Sequence, residues 1–342
     1  MKDFRDYSLL PHNTFGIDAK CNRFVEFSTV GEAQQTAELL NSDLAQPFLI
    51  IGGGSNLLLT SDYGGTVAHS AIRGIEQLPC DGGSADEVLV RCGSGEVWDD
   101  VVSLFVDRGW HGAENLSLIP GEVGASAVQN IGAYGAEAKD IINKVEAVEI
   151  ATGTLCEISC DECGYGYRQS RFKNEWRNKY LITHVTYRLN TTFTPHLDYG
   201  NIRQELLRQG ISQPTAAQLR QAIIDIRNAK LPDPKQEGNA GSFFMNPVVS
   251  REKFEQLHAL YPQMPHYYID EHHEKIPAGW MIDQCGWKGR TVGAAGVHDK
   301  QALVLVNRGG ASGSDIVNLC KLIQQDVLQR FGIEIHPEVN II

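Results

Sequence analysis

A run of glycines in the first third of the chain could bind a ligand through its backbone. It follows the apolar stretch Phe48–Ile51, whose length and composition are typical of a strand. Glycine has no side chain to hold a ligand away, so these N–H groups suit an anion such as a pyrophosphate. The spacing matches neither a Gly-x-Gly-x-x-Gly fingerprint nor a P-loop, and a plain turn between strands is the alternative. This first loop consists of Gly52, Gly53, Gly54, Ser55 and Asn56.

A second segment, between residues 118 and 135, is rich in glycine, small and amide residues. Glycine recurring in this way is a poor composition for the interior of a helix or a strand, and it suits a backbone wrapped around a ligand. A tight loop with a structural role only is the alternative. The residues of interest in this second loop are Ile119, Pro120, Gly121, Gln129, Asn130, Gly132, Ala133, Tyr134 and Gly135.

Three cysteines, Cys156, Cys160 and Cys163, have the spacing of an iron–sulfur cluster loop in radical enzymes that use S-adenosylmethionine. Their context argues against that chemistry. They lie at the end of a predicted hairpin, and Glu162 stands where an aromatic residue is preferred. We therefore interpret them as reduced thiols and expect no metal, with the iron–sulfur enzyme kept as an alternative.

Two other residues stand in surroundings that would restrict their motion. Arg168 follows a Gly-Tyr-Gly-Tyr sequence, and a rigid guanidinium can stabilise a carboxylate or an enolate. Ser242 lies between a glycine and two phenylalanines, which would partly desolvate it, but no Gly-x-Ser-x-Gly elbow indicates a hydrolase. The eleven histidines show no ligand spacing, and we interpret them as surface residues.

The elements that must position these residues are mixed in the first third and mainly β in the middle. Helical spacing predicts a helix over 97–108, with Val97, Val101, Leu104 and Phe105 on one face. Val88, Val90 and Cys92 alternate with Leu89 and Arg91 in a strand pattern. The runs 145–150 and 155–159 predict a hairpin, and 180–189 a further strand.

Two helices are well signalled in the second half. Thr215 and Gln218 form a capping box for the first, and the prolines at 232 and 234 end it at our predicted domain boundary. Ser314 is the predicted N-cap of the second helix, and Gly332 is predicted to end that helix. The strand-like tail 333–342 should pair with a sheet and bring Glu338 onto structured backbone. The apolar stripe predicted for the second helix comprises Ile316, Leu319, Cys320, Ile323, Val327 and Phe331.

Composition excludes several classes of protein. The 342 residues carry a formal net charge of −12, which does not suit nonspecific nucleic-acid binding. No apolar run is long enough for a membrane span, and no secretory leader is evident at the N-terminus. Eight cysteines in such a chain do not indicate a disulfide scaffold. We expect a soluble, unexported, cytoplasmic protein with reduced cysteines.

Eight motifs, in order along essentially the whole chain, resemble the UDP-N-acetylenolpyruvoylglucosamine reductases, the flavoenzymes that complete UDP-N-acetylmuramic acid for peptidoglycan. Each motif is modest alone, but their order is highly specific. They are Asn13-Thr14-Phe15-Gly16, the first loop, the second loop, Tyr167-Arg168-Gln169-Ser170, Lys230-Leu231-Pro232-Asp233-Pro234, the segment 241–247, Ala278-Gly279-Trp280 and Pro337-Glu338-Val339.

The resemblance implies an α+β fold: the FAD-binding fold of the vanillyl-alcohol oxidase and p-cresol methylhydroxylase type, in two subdomains, plus a C-terminal α+β substrate-binding domain. Expected boundaries are 1–75, completed by the tail 333–342, then 76–230, and 231–332 for the substrate domain. The stretch 265–268 resembles the longer of two family types. Two departures are Met245, where lysine is common, and the abrupt end after Glu338.

The resemblance also implies the chemistry. Both loops would bind noncovalent FAD, and NADPH would reduce it before the enolpyruvyl sugar nucleotide enters the same pocket. Arg168 and Glu338 would polarise the substrate carboxylate, and Ser242 would donate a proton to the α-carbon. Expected substrate-binding residues are Tyr199, Lys230, Asn246, Tyr267 and Gln301. We expect a monomer with no nucleic-acid or membrane partner; a noncatalytic sugar-nucleotide sensor is a further alternative.

Overall fold

The structure is a computed structural model that describes residues 1–42, 46–80 and 84–342. The chain divides into two compact units, and each is described by itself. Unit 1 comprises Met1–Tyr7, Cys21–Gly53 and Gly64–Ala229; unit 2 comprises Ser8–Lys20, Gly54–Tyr63 and Lys230–Ile342. A search of the described ranges finds no helix that is long and apolar enough to span a membrane.

Strands and short helices alternate along the chain. The helices are α1 (Val30–Ser42), α2 (Trp98–Asp107), α3 (Val123–Gln129), α4 (Ile202–Arg208), α5 (Ala216–Lys230), α6 (Arg251–Leu260), α7 (Ala278–Gln284) and α8 (Gly313–Phe331). The strands are β1 (Lys2–Ser8), β2 (Lys20–Phe27), β3 (Phe48–Ile51), β4 (Leu57–Leu58), β5 (Tyr63–Ser70), β6 (Ile75–Leu78), β7 (Glu87–Gly93), β8 (Gly132–Ala133), β9 (Ala136–Glu137), β10 (Ile142–Glu149), β11 (Leu155–Ser159), β12 (Tyr180–Asn190), β13 (Gly238–Ser242), β14 (Val248–Ser250), β15 (Tyr267–Asp270), β16 (His273–Lys275), β17 (Thr291–Val292), β18 (Ala295–Val297), β19 (Val304–Asn307) and β20 (Asn340–Ile341).

The larger sheet of unit 1 is antiparallel and has the strand order β11-β10-β12-β7-β6. The hairpin predicted at 145–159 is confirmed as β10 and β11, and the predicted strand 180–189 as β12. The alternation predicted along β7 is confirmed as well, since Val88, Val90 and Cys92 are buried. This core includes Trp98 and Tyr187, and α3, which belongs to the second loop, packs on β12.

The other sheet of unit 1 has the order β1-β2-β5-β3, with β3 and β5 parallel. Ile51, the last residue of β3, pairs with His69 of β5. Helix α1 buries Ala33, Ala37 and Leu40 in a core with Phe27 of β2. The first loop therefore begins where a packed parallel strand ends.

Unit 2 contains an antiparallel sheet of order β13-β19-β18-β17 and a three-stranded sheet of order β14-β16-β15. Helix α8 packs on β18 and β19, and all six residues of its predicted stripe are buried. The chain tail pairs as predicted, although only Asn340–Ile341 forms a strand, parallel to β4. The N–H of Thr60 also donates to the carbonyl of Ile342 at 2.8 Å, so this pairing extends to residue 342.

The predicted capping of α5 is confirmed. The N–H of Thr215 donates to Gln218 Oε1 at 2.9 Å, and the N–H of Gln218 donates to Thr215 Oγ1 at 3.3 Å. The predicted cap of α8 is wrong. Ser312, not Ser314, caps it, because Ser312 pairs with Asp315 three residues into the helix as a reciprocal capping box. Gly332 ends α8 with φ of 61°, as predicted.

The predicted inner face of α2 is partly wrong. Val97 precedes the helix and is 39% exposed, and Leu104 is only partly buried, whereas Trp98 and Val102 are fully buried. The Trp98 indole N–H donates to the carbonyl of Leu116 at 2.9 Å. Anchoring of this large side chain rotates the buried stripe by about one residue, which helical spacing does not reveal.

Candidate active site

The first and second loops meet in unit 1. A Cβ at Gly52 would lie 3.1 Å from the Cβ of Ala125, and a Cβ at Gly53 would lie 3.6 Å from the Cα of Gly121. Glycine therefore allows the two backbones to approach. Within the described residues, the backbone N–H groups of Gly52 and Gly53 make no hydrogen bond to the protein. These are open donors of the kind that an anion needs.

The start of α3 differs from the first loop, because its first two backbone N–H groups already donate to the protein. The N–H of Val123 donates to the carbonyl of Glu96 at 2.9 Å, and that of Gly124 to the carbonyl of Ser94 at 2.8 Å. A Cβ at Gly124 would lie 3.0 Å from Ser94 Cβ, so glycine permits this packing. The second loop is thus fixed at Val123 and Gly124 to the segment around the end of β7.

Leu118, at the start of the second loop, has a left-handed backbone with φ of 57°. Asp99 Oδ1 accepts the Leu118 N–H at 2.5 Å and also pairs with Arg220 at 2.7 Å. Burial by itself raises the pKa of Asp99, but the bonds from Arg220 and Leu118 outweigh it and hold that pKa below its ordinary value. Sequence reasoning missed Asp99 and Arg220, which are remote from the loop along the chain.

Arg168 is brought to the far part of the second loop. Its Nη2 donates to the carbonyl of Gly132 at 2.7 Å, and its guanidinium lies 5.7 Å from the Tyr167 ring centroid. Arg168 has a left-handed backbone with φ of 55°. Asn130 and Tyr134 of the second loop are also left-handed, with φ of 46° and 50°. Such backbones cost on the order of 1 to 3 kcal/mol each and persist where the surroundings hold them.

Asn130 ties the second loop to the Arg168 segment. Its Nδ2 donates to Gly166 O at 2.8 Å and to Glu137 Oε2 at 3.0 Å, while its Oδ1 accepts the N–H of Lys139 at 3.0 Å. The side chain is completely buried. The sequence predicts Asn130 as a ligand-binding residue. In the structure, its side chain also stabilises the conformation of the second loop through these hydrogen bonds.

Tyr199 and Arg227 complete this part of unit 1. Tyr199 lies over Gly135, where a Cβ would come within 3.2 Å of it. Arg227 Nε donates to the carbonyl of Leu118 at 3.2 Å. Burial is the main cause of a lowered pKa for Arg227. The sequence pattern of α5 gave no signal for Arg227, because it follows the apolar Ile226 without a motif of its own.

In unit 2, Ser242 and Glu338 are brought together by a backbone ladder. The N–H of Glu338 donates to the carbonyl of Phe243 at 2.8 Å, and that of Met245 donates to the carbonyl of His336 at 3.0 Å. Ser242 is the last residue of β13, pairs with Val304, and is exposed. Glu338 is also held from the first loop, since Asn56 Nδ2 donates to its carbonyl at 3.4 Å.

Gly54 shows why the first loop needs glycine at its third position. Its φ is +65°, and a Cβ there would lie 1.9 Å from the carbonyl oxygen of His12. Its own carbonyl accepts the N–H of Thr14 at 3.2 Å. The motif Asn13-Thr14-Phe15-Gly16 thus supports the first loop within unit 2. Thr14 Oγ1 also donates to the carbonyl of Asn239 at 2.6 Å, ahead of Ser242.

Two expected substrate residues, Asn246 and Gln301, lie around the start of α7. Asn246 Oδ1 accepts the N–H of Ala278 at 2.9 Å, which caps that helix. Gln301 Oε1 lies 3.3 Å from where a Cβ of Gly279 would be. Tyr267 lies on β15, 42% exposed, and its ring is 5.6 Å from Lys275 Nζ. Lys230 is the exposed last residue of α5.

The three spaced cysteines face different backbone carbonyls. Cys156 Sγ lies 3.6 Å from Thr154 O, Cys160 Sγ 3.5 Å from Lys139 O, and Cys163 Sγ 3.3 Å from Ser159 O. Burial raises the pKa of Cys163 to about 11. Across the described residues, no group of three or more His, Cys, Asp or Glu side chains is arranged to hold a metal ion.

The interpretation of the histidines as surface residues is wrong for two of them. His69 and His184 are 7% and 8% exposed. Each is buried beside carboxylates, His69 with Glu26 and Glu122, and His184 with Glu146. The two carboxylates raise the pKa of His69 and stabilise its charged form, whereas burial and the neighbouring Arg91 lower the pKa of His184. The partners of both histidines are distant in sequence.

Most of the chain is similar to known proteins. A family profile described as "UDP-N-acetylenolpyruvoylglucosamine reductase, C-terminal domain" matches residues 233–342, and one described as "FAD binding domain" matches residues 22–159. A UDP-N-acetylenolpyruvoylglucosamine reductase of Bacteroides fragilis is 55% identical over 338 residues, covering 98% of this chain and 99% of its own. The chain belongs to the UDP-N-acetylenolpyruvoylglucosamine reductase family.

Other members of the reductase family are also similar to this chain over nearly its whole length. The reductase of Flavobacterium johnsoniae is 44% identical and covers 98% of both chains. The crystal structure of the reductase from Thermus caldophilus matches with a TM-score of 0.66 at 22% identity, covering 99% of this chain and 98% of its own, which shows the fold. The expected fold class, a FAD-binding fold with a further C-terminal domain, is confirmed.

Membership makes the chain an oxidoreductase of peptidoglycan precursor synthesis that binds FAD. The residues present fit that cofactor. The open N–H donors of Gly52 and Gly53 lie in the range matched by the FAD binding domain, and the second loop packs closely against these glycines at Gly121, Glu122 and Ala125. Backbone donors without side chains are the donor set that a diphosphate requires.

Proposed function

We propose that this reductase uses NADPH to reduce the enolpyruvyl double bond of UDP-N-acetylglucosamine enolpyruvate, giving UDP-N-acetylmuramate. The observation that carries the proposal is the ladder between residues 243–245 and 336–338. Ser242, an alcohol, immediately precedes one side of this ladder in unit 2, and Glu338, a carboxylic acid, lies on the other, which supports the proposal. A proton donor and a group that handles developing carboxylate charge must be held in this way.

The residues act on the charge that forms during reduction. FAD, when bound and reduced, supplies the hydride to the terminal carbon of the double bond. Charge then develops at the α-carbon and its carboxylate, and Arg168 and Glu338 stabilise it. The Ser242 hydroxyl donates a proton to the α-carbon and is reprotonated from solvent. NADPH and one proton are consumed for each double bond reduced, so atoms and charge balance.

The remaining residues bind the two ligands. We assign the first loop and the second loop to the flavin, held without a covalent bond. Tyr199, Lys230, Asn246, Tyr267 and Gln301 are assigned to the sugar nucleotide. Lys230 is exposed and cationic at the end of α5, which suits a diphosphate. The cap that Asn246 forms on α7 supports a fixed amide orientation at that position.

The arrangement of domains belongs to the same proposal. We assign residues 1–75 with the tail 333–342 and residues 76–230 to the two FAD-binding subdomains, and residues 231–332 to the substrate-binding domain. We also propose a monomer in the cytoplasm. Size-exclusion chromatography with light scattering tests the monomer, since a mass near twice 37.7 kDa would contradict it.

The visible absorption spectrum of the purified protein tests the reaction. Two flavin bands should bleach with NADPH under anaerobic conditions and return only when the enolpyruvyl sugar nucleotide is added. Bleaching by NADPH with no return would contradict the proposed substrate. A flavoprotein not bleached by NADPH would contradict the proposed reductant. Flavin that stays in the pellet after acid precipitation would contradict noncovalent binding.

A further inference from the structure

A buried ion cluster lies beside the two loops and has no part in the chemistry above. His69 of β5 points one ring nitrogen at each of two carboxylates. Its Nδ1 is 3.2 Å from Glu26 Oε2, and its Nε2 is 3.2 Å from both oxygens of Glu122. Glu26 lies on β2, and Glu122 lies in the second loop immediately before α3. The histidine thus links the sheet β1-β2-β5-β3 to the second loop.

Glu122 also lies against the first loop. A Cβ at Gly52 would be 3.3 Å from Glu122 Oε2, and a Cβ at Gly53 would be 3.7 Å from Glu122 Oε1. The carboxylate is therefore next to the open N–H donors that we assign to the flavin diphosphate. A carboxylate there opposes an anionic ligand by charge repulsion unless its charge is compensated.

With both carboxylates ionised, the geometry favours a doubly protonated ring. A neutral imidazole has one nitrogen without hydrogen, and that nitrogen would face a carboxylate oxygen across a short distance. An imidazolium donates to both. Burial by itself lowers the pKa of His69, but Glu122 and Glu26 together outweigh it and raise that pKa. Lys2 Nζ lies 2.6 Å from Glu26 Oε1, so Glu26 has a second cation, whereas the cation that pairs with Glu122 among the described residues is His69.

We propose that His69 is a positioning residue for the flavin site: as an imidazolium it holds Glu122 in place beside Gly52 and Gly53 and cancels its charge. The proposal rests on the proposed function only in assigning the flavin diphosphate to the first loop. Loss of the His69 proton leaves an uncompensated carboxylate beside that loop. FAD affinity should therefore fall as the pH rises through the pKa of His69.

The test measures FAD dissociation constants of the full chain by equilibrium dialysis between about pH 6 and about pH 9. For the natural protein, binding should weaken by about tenfold or more as the pH rises. His69→Gln should bind FAD weakly at every pH, with a flattened profile. Glu122→Gln should flatten the profile while keeping tight binding, since the charge that needs compensation is gone.

The double variant His69→Gln/Glu122→Gln separates charge compensation from general damage. If His69 acts through Glu122, the loss caused by His69→Gln should be several-fold smaller when Glu122 is already glutamine. His184→Gln is the matched control, because His184 is equally buried in unit 1 but contacts Arg91 and Glu146. It should leave FAD affinity unchanged.

Three results would overturn the proposal. The first is a pH profile of FAD binding in His69→Gln that equals that of the natural protein, and the second is an equal loss of FAD affinity from His69→Gln with and without Glu122→Gln. The third is imidazole ¹⁵N shifts of a neutral His69 in the holoenzyme near pH 7. Failure of the proposed function would look different. A natural protein that binds FAD tightly but does not pass electrons from NADPH to the enolpyruvyl sugar leaves this pH dependence intact.

Discussion

The backbone N–H of Glu338 donates a 2.8 Å hydrogen bond to the carbonyl oxygen of Phe243. Phe243 follows Ser242 directly and is completely buried. The proposed proton donor and one of the proposed carboxylate-polarising groups are thereby held by the same ladder, although they lie far apart in sequence. A residue at the end of a chain is normally free to move, and the pairing of β20 with β4 prevents this here.

The first prediction separates proton donation from structure at Ser242. Ser242→Ala should leave flavin reduction by NADPH within about twofold but slow reduction of the enolpyruvyl substrate by about 10² to 10⁴, the usual contribution of a positioned proton donor. Stopped-flow absorbance measures the two half-reactions separately. Ser242→Cys should recover part of the lost rate, and an equal fall in both half-reactions would assign Ser242 a structural role.

The second prediction concerns the start of α8. Ser312→Ala should lower the free energy of unfolding by about 1 kcal/mol, because it removes a capping box, measured by urea denaturation. Ser314→Ala, an exposed position in the same helix turn, is the matched control and should change stability by less than about 0.5 kcal/mol. A larger loss of stability in Ser314→Ala than in Ser312→Ala would show that Ser314 caps the helix, as the sequence pattern predicts.

The third prediction concerns Asp99, which accepts the N–H of the strained Leu118. Asp99→Asn should cost about 1 to 3 kcal/mol of unfolding free energy at neutral pH. Because the folded pKa of Asp99 is lowered, its contribution is fully present above its unfolded pKa of about 3.9 and is lost as the pH falls through the folded value. The two proteins should therefore converge in stability at low pH.

Asp100→Asn is the control for this measurement, since Asp100 is the exposed neighbour in the same helix. It should leave the pH dependence of unfolding as in the natural protein. A stability difference between Asp99→Asn and the natural protein that persists unchanged well below pH ~3 would show that the loss comes from packing and not from the ionised carboxylate.

The fourth prediction concerns the tightest position of the first loop. Gly54→Ala should destabilise the protein by more than about 2 kcal/mol, because its Cβ would overlap the carbonyl of His12 and its φ is positive. Gly31→Ala, in α1 with open space around the new Cβ, should be neutral or stabilising by up to about 1 kcal/mol. Thermal unfolding of the two variants side by side measures the difference.

Much of the local structure was predictable because it depends on neighbouring residues. The capping pair Thr215 and Gln218, the hairpin of β10 and β11, and the buried stripe of α8 all follow from spacing alone. The family could be recognised in the same way, because its motifs are short, local and ordered along the chain. These features need no knowledge of what packs against them.

What the sequence determined by itself was the type and order of these elements, the two glycine loops and the family. Tertiary structure alone decided which face of α2 is buried, because Trp98 is anchored on Leu116. It also decided that Asp99 holds Leu118 and that His69 is buried between Glu26 and Glu122. Such contacts join residues that are distant in sequence, and the free energy that selects them comes from burial and ion pairing that no local pattern encodes.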